Sequence, residues 1–134
     1  MIEIAARYEG KTKCQLTHPE GMVLQTDTPK ELGGDAAAFS PTDLVASGLV
    51  TCILTTIALW GERRQLDLVG MSATVVKEMS TTANRIGRLA VTVTVPAALV
   101  PEGLRPRLEA IGHRCPVHAS LHPEIEAPII YQYV

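Results

Sequence analysis

Two thiols in contrasting settings are the residues best placed to do chemistry. Cys52 lies inside a long apolar run, SPTDLVASGLVTCILTTIALW, and Cys115 opens the motif CPVHASLHP. A thiol reacts as its thiolate, so a cysteine in apolar surroundings is inert unless something stabilises the anion. A cysteine directly before a proline, where a helix restarts, meets free N–H groups and the positive end of the helix dipole. One sheltered thiol and one at a helix start form the layout of a redox pair, in which one sulfur attacks and the other resolves. The competing reading of Cys52 is a small buried hydrophobe, the usual fate of a free cysteine. Cys115 could equally be an ordinary helix-start residue. Cys14, in a strand-like run near Lys11 and Lys13, reads as structural.

A second chemistry is open at the same place. His113, Cys115, His118 and His122 fall within ten residues, and all are metal-ligand types. On a continuous helix His118 and His122 would share a face, with Cys115 three residues before His118. The distant second pair of ligands usual for zinc is missing, and the histidines could instead be solvated or cap helix ends.

A helix must carry Cys52. Ser40 is its expected cap, with Pro41 at the first position and Asp43 three residues after the cap, and it should run to about Gly61 or Arg64. Asp43 is a candidate catalytic carboxylate, although capping alone explains it. No cation lies between Asp43 and Arg63, so an active Cys52 needs one from another element; Arg7, Arg85, Arg88 and Arg114 are candidates.

Around that helix the first 27 residues alternate as strands. Ile2, Ile4 and Ala6 share a face, Glu9-Gly10 turns, Lys11 to Leu16 follows, and His18 to Gly21 turns before Met22 to Thr26. Residues 28–38 read as loop. Val69 to Met79 and Ile86 to Val95 form a hairpin. Gly103 to Arg114 is helical from about Leu104 or Arg105, since Pro106 fits only a first turn. Cys115-Pro116 opens a short helix ending near Leu121, and Ala127 to Val134 closes as a strand. The expected class is α+β, in the order βββ-α-ββ-αα-β, as one domain over 1–134 with the long helix packed on antiparallel sheet.

Composition narrows the setting. The 134 residues carry a net charge of −2, which gives no reason to expect nucleic acid or an anionic membrane as partner. Only five residues are aromatic, so the core must be aliphatic. Leu44 to Trp60 is 17 residues without a charge, at the lower limit for a membrane span. Its Ser47, Thr51, Thr55 and Thr56, and the charged Asp43 and Glu62-Arg63-Arg64 around it, argue instead for a buried central helix. Such a helix is apolar on nearly all sides, and one sheet covers one side, so a second copy of the chain is expected to supply the rest. The start MIEIAARYEG lacks the pattern of a signal peptide, and three irregularly spaced cysteines do not make a disulfide scaffold; a cytoplasmic protein is expected.

FSPTDL at 39–44, Cys52 in LVTCILTTIAL, and CPVHASLHP at 115–123 together resemble the OsmC/Ohr family of osmotically inducible and organic-hydroperoxide-resistance proteins. The resemblance covers the whole chain in element order. It implies an intertwined homodimer with two long helices at its centre and sites at the subunit interface. It further implies a thiol peroxidase without a cofactor: Cys52 would reduce an organic hydroperoxide and become sulfenic acid, and Cys115 would form a disulfide with it. A thiol reductant, often dihydrolipoamide on a protein, would reset the pair. The sequence departs from the best-characterised members in having Thr42 where they have glutamate, with the carboxylate one position later at Asp43. It looks like the branch with a Ser-Pro-x-Asp helix start. A non-catalytic member binding a small apolar ligand is the alternative.

Overall fold

The computed structural model describes Met1–Val134. The chain divides into two compact units, Met1–Val45 and Ala46–Val134.

The first unit is built on three antiparallel strands in sequential order: β1 (Ala5–Gly10), β2 (Lys13–Thr17) and β3 (Val23–Thr26). The turn between β1 and β2 falls at Lys11-Thr12, two residues later than the Glu9-Gly10 position expected. Gly10, Lys11 and Thr12 all have positive φ, at 88°, 52° and 66°. A β-branched residue rarely adopts that backbone and must be held there. The Tyr8 hydroxyl accepts the Thr12 N–H at 3.3 Å, and the Thr12 hydroxyl donates to Asp27 Oδ1 at 2.9 Å.

Asp27 also organises the loop after β3. Its carboxylate is buried and accepts the Thr28 N–H at 2.7 Å, the Ala37 N–H at 3.0 Å and an ion pair from Lys13 at 3.3 Å. The Asp27 N–H meets the Phe39 carbonyl at 3.2 Å, which closes the loop immediately before Ser40. The Ala37 N–H above all, with the Thr28 N–H, Thr12 and Lys13, holds the Asp27 carboxyl far below the usual carboxylate range, against the opposing effect of burial. A carboxyl depressed in the folded state contributes stability above its unfolded pKa, about 4, and loses it as pH falls toward the folded value. Asp27→Asn should therefore lower the urea midpoint at neutral pH and flatten its decline below about pH 4. Parallel curves for the two proteins across the acid range would count against this anchor.

Helix α1 (Pro41–Glu62) begins as the sequence indicates. The Ser40 N–H donates to Asp43 Oδ2 at 2.9 Å and the Asp43 N–H to Ser40 Oγ at 3.2 Å, a reciprocal capping box.

In the second unit, β4 (Ser72–Met79), β5 (Ile86–Val95) and β6 (Ile129–Tyr133) form a sheet in that order. The hairpin β4–β5 is antiparallel, but β6 runs parallel to β5, with Val91 opposite Ile129 and Val95 opposite Tyr133. The expected all-antiparallel sheet is thus corrected to two sheets, one of them mixed. The physical reason is the crossover: α2 (Arg105–Gly112) and α3 (Pro116–Ser120) lie between β5 and β6, and such a connection can bring a strand back in the same direction. Leu49, Ile53, Ile57 and Trp60 of α1 share one core with Leu89, Val91, Val93 and Val95 of β5, Leu108 of α2, and Cys115. This spacing of three and four residues is one helix face. By length and composition α1 could cross a membrane, yet this face is spent on the core. Gly112 is required where α2 meets β6, because a Cβ there would overlap the Tyr131 hydroxyl.

Candidate functional site

The core positions both sulfurs. Cys52 sits midway along α1, half-buried and packed against the core, and Cys115 is fully buried within it. No disulfide is formed; all three cysteines are free thiols. Cys115 is the N-cap of α3, and its Sγ accepts the His118 N–H at 3.3 Å. Pro116 has no N–H, so the first amide of that turn belongs to Val117, whose N–H favours the thiolate form of either sulfur. One turn beyond Cys52, the Thr56 hydroxyl lies 4.0 Å from its Sγ.

The two thiols influence each other and are pushed apart in acidity. Burial opposes the Cys52 thiolate, but the Cys115 thiol, the Val117 N–H and the Thr56 hydroxyl together outweigh it, and Cys52 is held below an ordinary thiol. Burial first, and then the neighbouring Cys52, push Cys115 up despite its own amide donors. This reverses the local expectation from sequence, in which Cys115 had the better-stabilised anion. The helix start is present as expected, but part of its donor capacity is directed to Cys52. Val117 and Thr56 are the participants that residue reading missed. Two signals were available: Thr56 is four residues along the same helix face, and Val117 is the first residue after Cys115 that retains an N–H.

The candidate cations are engaged elsewhere or exposed. Arg85 pairs with Glu124 at 2.9 Å, Arg88 with Glu126 at 2.9 Å, and Arg7 with Glu9 at 3.3 Å, while Arg114 is exposed. Every group acting to stabilise the Cys52 anion is neutral. The Asp43 carboxylate serves the α1 cap.

The metal reading finds no assembled ligand set. Helix α3 ends at Ser120, so His122 lies beyond it and cannot share the His118 face; its Nδ1 accepts the Glu124 N–H at 3.0 Å. His118 Nε2 donates to the Ala127 carbonyl at 3.1 Å, and the His113 ring stands edge-on at 6.1 Å from the His118 ring. An open groove of about 580 Å³ is lined by Leu54, Thr55, Ala58, Leu66, Leu68 and Met71 among others, and by neither cysteine.

A model of the family described as "OsmC-like protein" matches residues 33–129. The chain belongs to the OsmC-like family. The match extends across both compact units. Among solved structures, the OsmC-like fold is shared with a Psychrobacter arcticus protein assigned provisionally to the osmotic-stress-induced and detoxification response. That protein is 28% identical, with a TM-score of 0.91 over 98% of this chain and 96% of the other. The fold is also that of a Legionella pneumophila organic hydroperoxide resistance protein OsmC, at 19% identity and a TM-score of 0.72 over 98% and 96% of the two chains. An organic hydroperoxide resistance protein of Elizabethkingia anophelis is 18% identical, with a TM-score of 0.75 over 100% and 96%. No curated protein matches the chain.

Proposed function

We propose that this OsmC-like protein is a thiol-dependent peroxidase that reduces organic hydroperoxides with Cys52 and Cys115 in stress defence. What supports the reading is the placement of both sulfurs in one core, Cys52 on α1 and Cys115 at the α3 cap, where each shifts the acidity of the other. Cys52 thiolate attacks the terminal oxygen of the hydroperoxide, the O–O bond breaks, and the alkoxide takes a proton to leave as alcohol. Cys52 becomes sulfenic acid. The Cys115 thiol then attacks that sulfur, the S–O bond breaks with release of water, and a disulfide remains. A dithiol, free or on a lipoyl protein, returns two electrons and two protons. Asp43 contributes by fixing the start of the helix that carries Cys52. An alkyl hydroperoxide is favoured over hydrogen peroxide because Cys52 packs against aliphatic side chains that would bury its chain.

Purified protein with dithiothreitol or dihydrolipoamide should consume cumene hydroperoxide catalytically. Absence of consumption would favour instead a family member that binds a small apolar ligand without turnover. A cytoplasmic setting belongs to the same proposal, because the resting thiols need a reducing compartment.

The same reading includes a homodimer. Ile2, Ile4, Tyr8, Met22, Val23 and Leu24 are all about half exposed or more in the first unit, and Leu59 is 49% exposed on α1 beside the exposed Thr51 and Thr55. That much apolar surface needs a cover, and a second copy supplies it. Sedimentation should give a dimer at micromolar concentration, and a stable monomer there would remove this part of the proposal.

A further inference from the structure

The Cys115 sulfur caps a helix that cannot hold its own orientation. Helix α3 has five residues, of which Pro116, Ala119 and Ser120 are exposed. A helix this short has no stability of its own. The Ser120 hydroxyl donates back to the Pro116 carbonyl at 2.8 Å, inside the same turn. Val117 and the following Leu121 pack against the core. Apolar packing is non-directional, so it holds the turn down without fixing its rotation.

One side chain supplies the missing direction. His118 Nε2 lies 3.1 Å from the Ala127 carbonyl, which can only accept, so that nitrogen carries the proton. No other side chain of α3 makes a hydrogen bond outside the helix. The acceptor itself is firmly held. On either side of it, the Glu126 carbonyl takes the Leu89 N–H at 2.8 Å and the Pro128 carbonyl takes the Val91 N–H at 2.9 Å. Carbonyls along an extended segment alternate in direction, so Ala127 turns its own away from β5 and toward His118. The backbone N–H of the same His118 donates to Cys115 Sγ at 3.3 Å. One residue thus joins the sulfur to the sheet, through its main chain on one side and its ring on the other.

We propose, resting on the peroxidase reading above, that His118 is a positioning residue for the resolving thiol: its ring bond to Ala127 keeps the Cys115 sulfur at its place in the core against which Cys52 packs. The step it governs is closure of the disulfide. The Cys115 sulfur attacks the sulfur of the Cys52 sulfenic acid, an S–S bond forms and the S–O bond breaks. The hydroxyl leaves with the Cys115 proton as water, and no electrons enter from outside. Without the ring bond the turn rotates more freely, and the sulfur spends less time aimed at Cys52. The earlier attack of Cys52 on the hydroperoxide makes no use of His118.

The test reads closure without hydroperoxide, on the Cys14→Ser protein, so that no third thiol competes. One equivalent of Ellman's reagent leaves a thionitrobenzoate on one cysteine of the pair, and the other cysteine then displaces it. Release of that second thionitrobenzoate, independent of reagent concentration, measures closure. His118→Ala should slow this phase by about three- to tenfold, the worth of one hydrogen bond, and leave the first phase unchanged. His118→Gln, whose amide N–H reaches about as far as Nε2, should restore the rate. His118→Asn, whose amide stops a bond short, should not. Unchanged closure in His118→Ala, equal slowing of both phases, or no recovery in His118→Gln would overturn the proposal. So would imidazole nitrogen shifts that place the His118 proton on Nδ1. With hydroperoxide and a fixed amount of dimedone, more Cys52 should be trapped as sulfenic acid in His118→Ala than in the parent. Slow closure restored by glutamine, in a protein inert to hydroperoxide, would uphold this inference and sink the peroxidase reading. Unchanged closure in His118→Ala with hydroperoxide turnover intact would do the reverse.

Discussion

Replacing Cys52 with serine should reduce hydroperoxide consumption to the uncatalysed background. A hydroxyl has neither the acidity nor the polarisable lone pair to attack an O–O bond, and the Val117 and Thr56 donors cannot lower a serine pKa into the working range. The substitution removes little packing, because the side chain is half-buried and the volume change small. Coupled consumption of cumene hydroperoxide, followed beside the melting temperature, separates chemistry from folding. Retained turnover in the folded variant would take Cys52 out of the mechanism. In the parent, the pH profile of iodoacetamide alkylation should place Cys52 below an ordinary thiol and Cys115 above one, as their unequal donors require.

The Cys115→Ser protein should behave differently, consuming about one equivalent of hydroperoxide per chain before steady turnover collapses. Serine is a good N-cap, so α3 keeps its start and the loss is chemical rather than structural. The halted species is Cys52 sulfenic acid, which dimedone should trap at one adduct per chain, with none on Cys14. A disulfide between Cys52 and Cys14 in this variant, or undiminished turnover with dithiol, would deny Cys115 its resolving role.

The sequence was most legible where a local rule and a long pattern agreed. Ser40, Pro41 and Asp43 marked the start of α1, and the unbroken apolar run to Trp60 carried it to within two residues of its observed end. Cys115-Pro116 marked α3 equally well. Legibility failed where the deciding partner lies far along the chain. The Lys11-Thr12 turn carries no glycine, and it exists because Asp27, fifteen residues away, holds Thr12 in an unusual backbone. The parallel direction of β6 is decided by pairing with β5 rather than by its own alternation. The acidity order of the thiols depends on where the Val117 N–H points, which spacing does not encode. The histidine cluster shows the opposite error, in which proximity in sequence promised a ligand set that the end of α3 at Ser120 disperses.

The parallel pairing of β5 with β6 also sets when the thiols can meet. Cys115 lies inside the crossover, so its place beside α1 is secured only when the last strand, ending at Tyr133, has docked along β5. Contacts of such long sequence separation form late, after the loop-closure entropy of the intervening chain has been met. A chain in which β6 has not yet docked along β5 therefore holds Cys52 before Cys115 is fixed in the core. Under the peroxidase proposal, oxidative linkage of these two sulfurs would serve as a clock for the docking of β6.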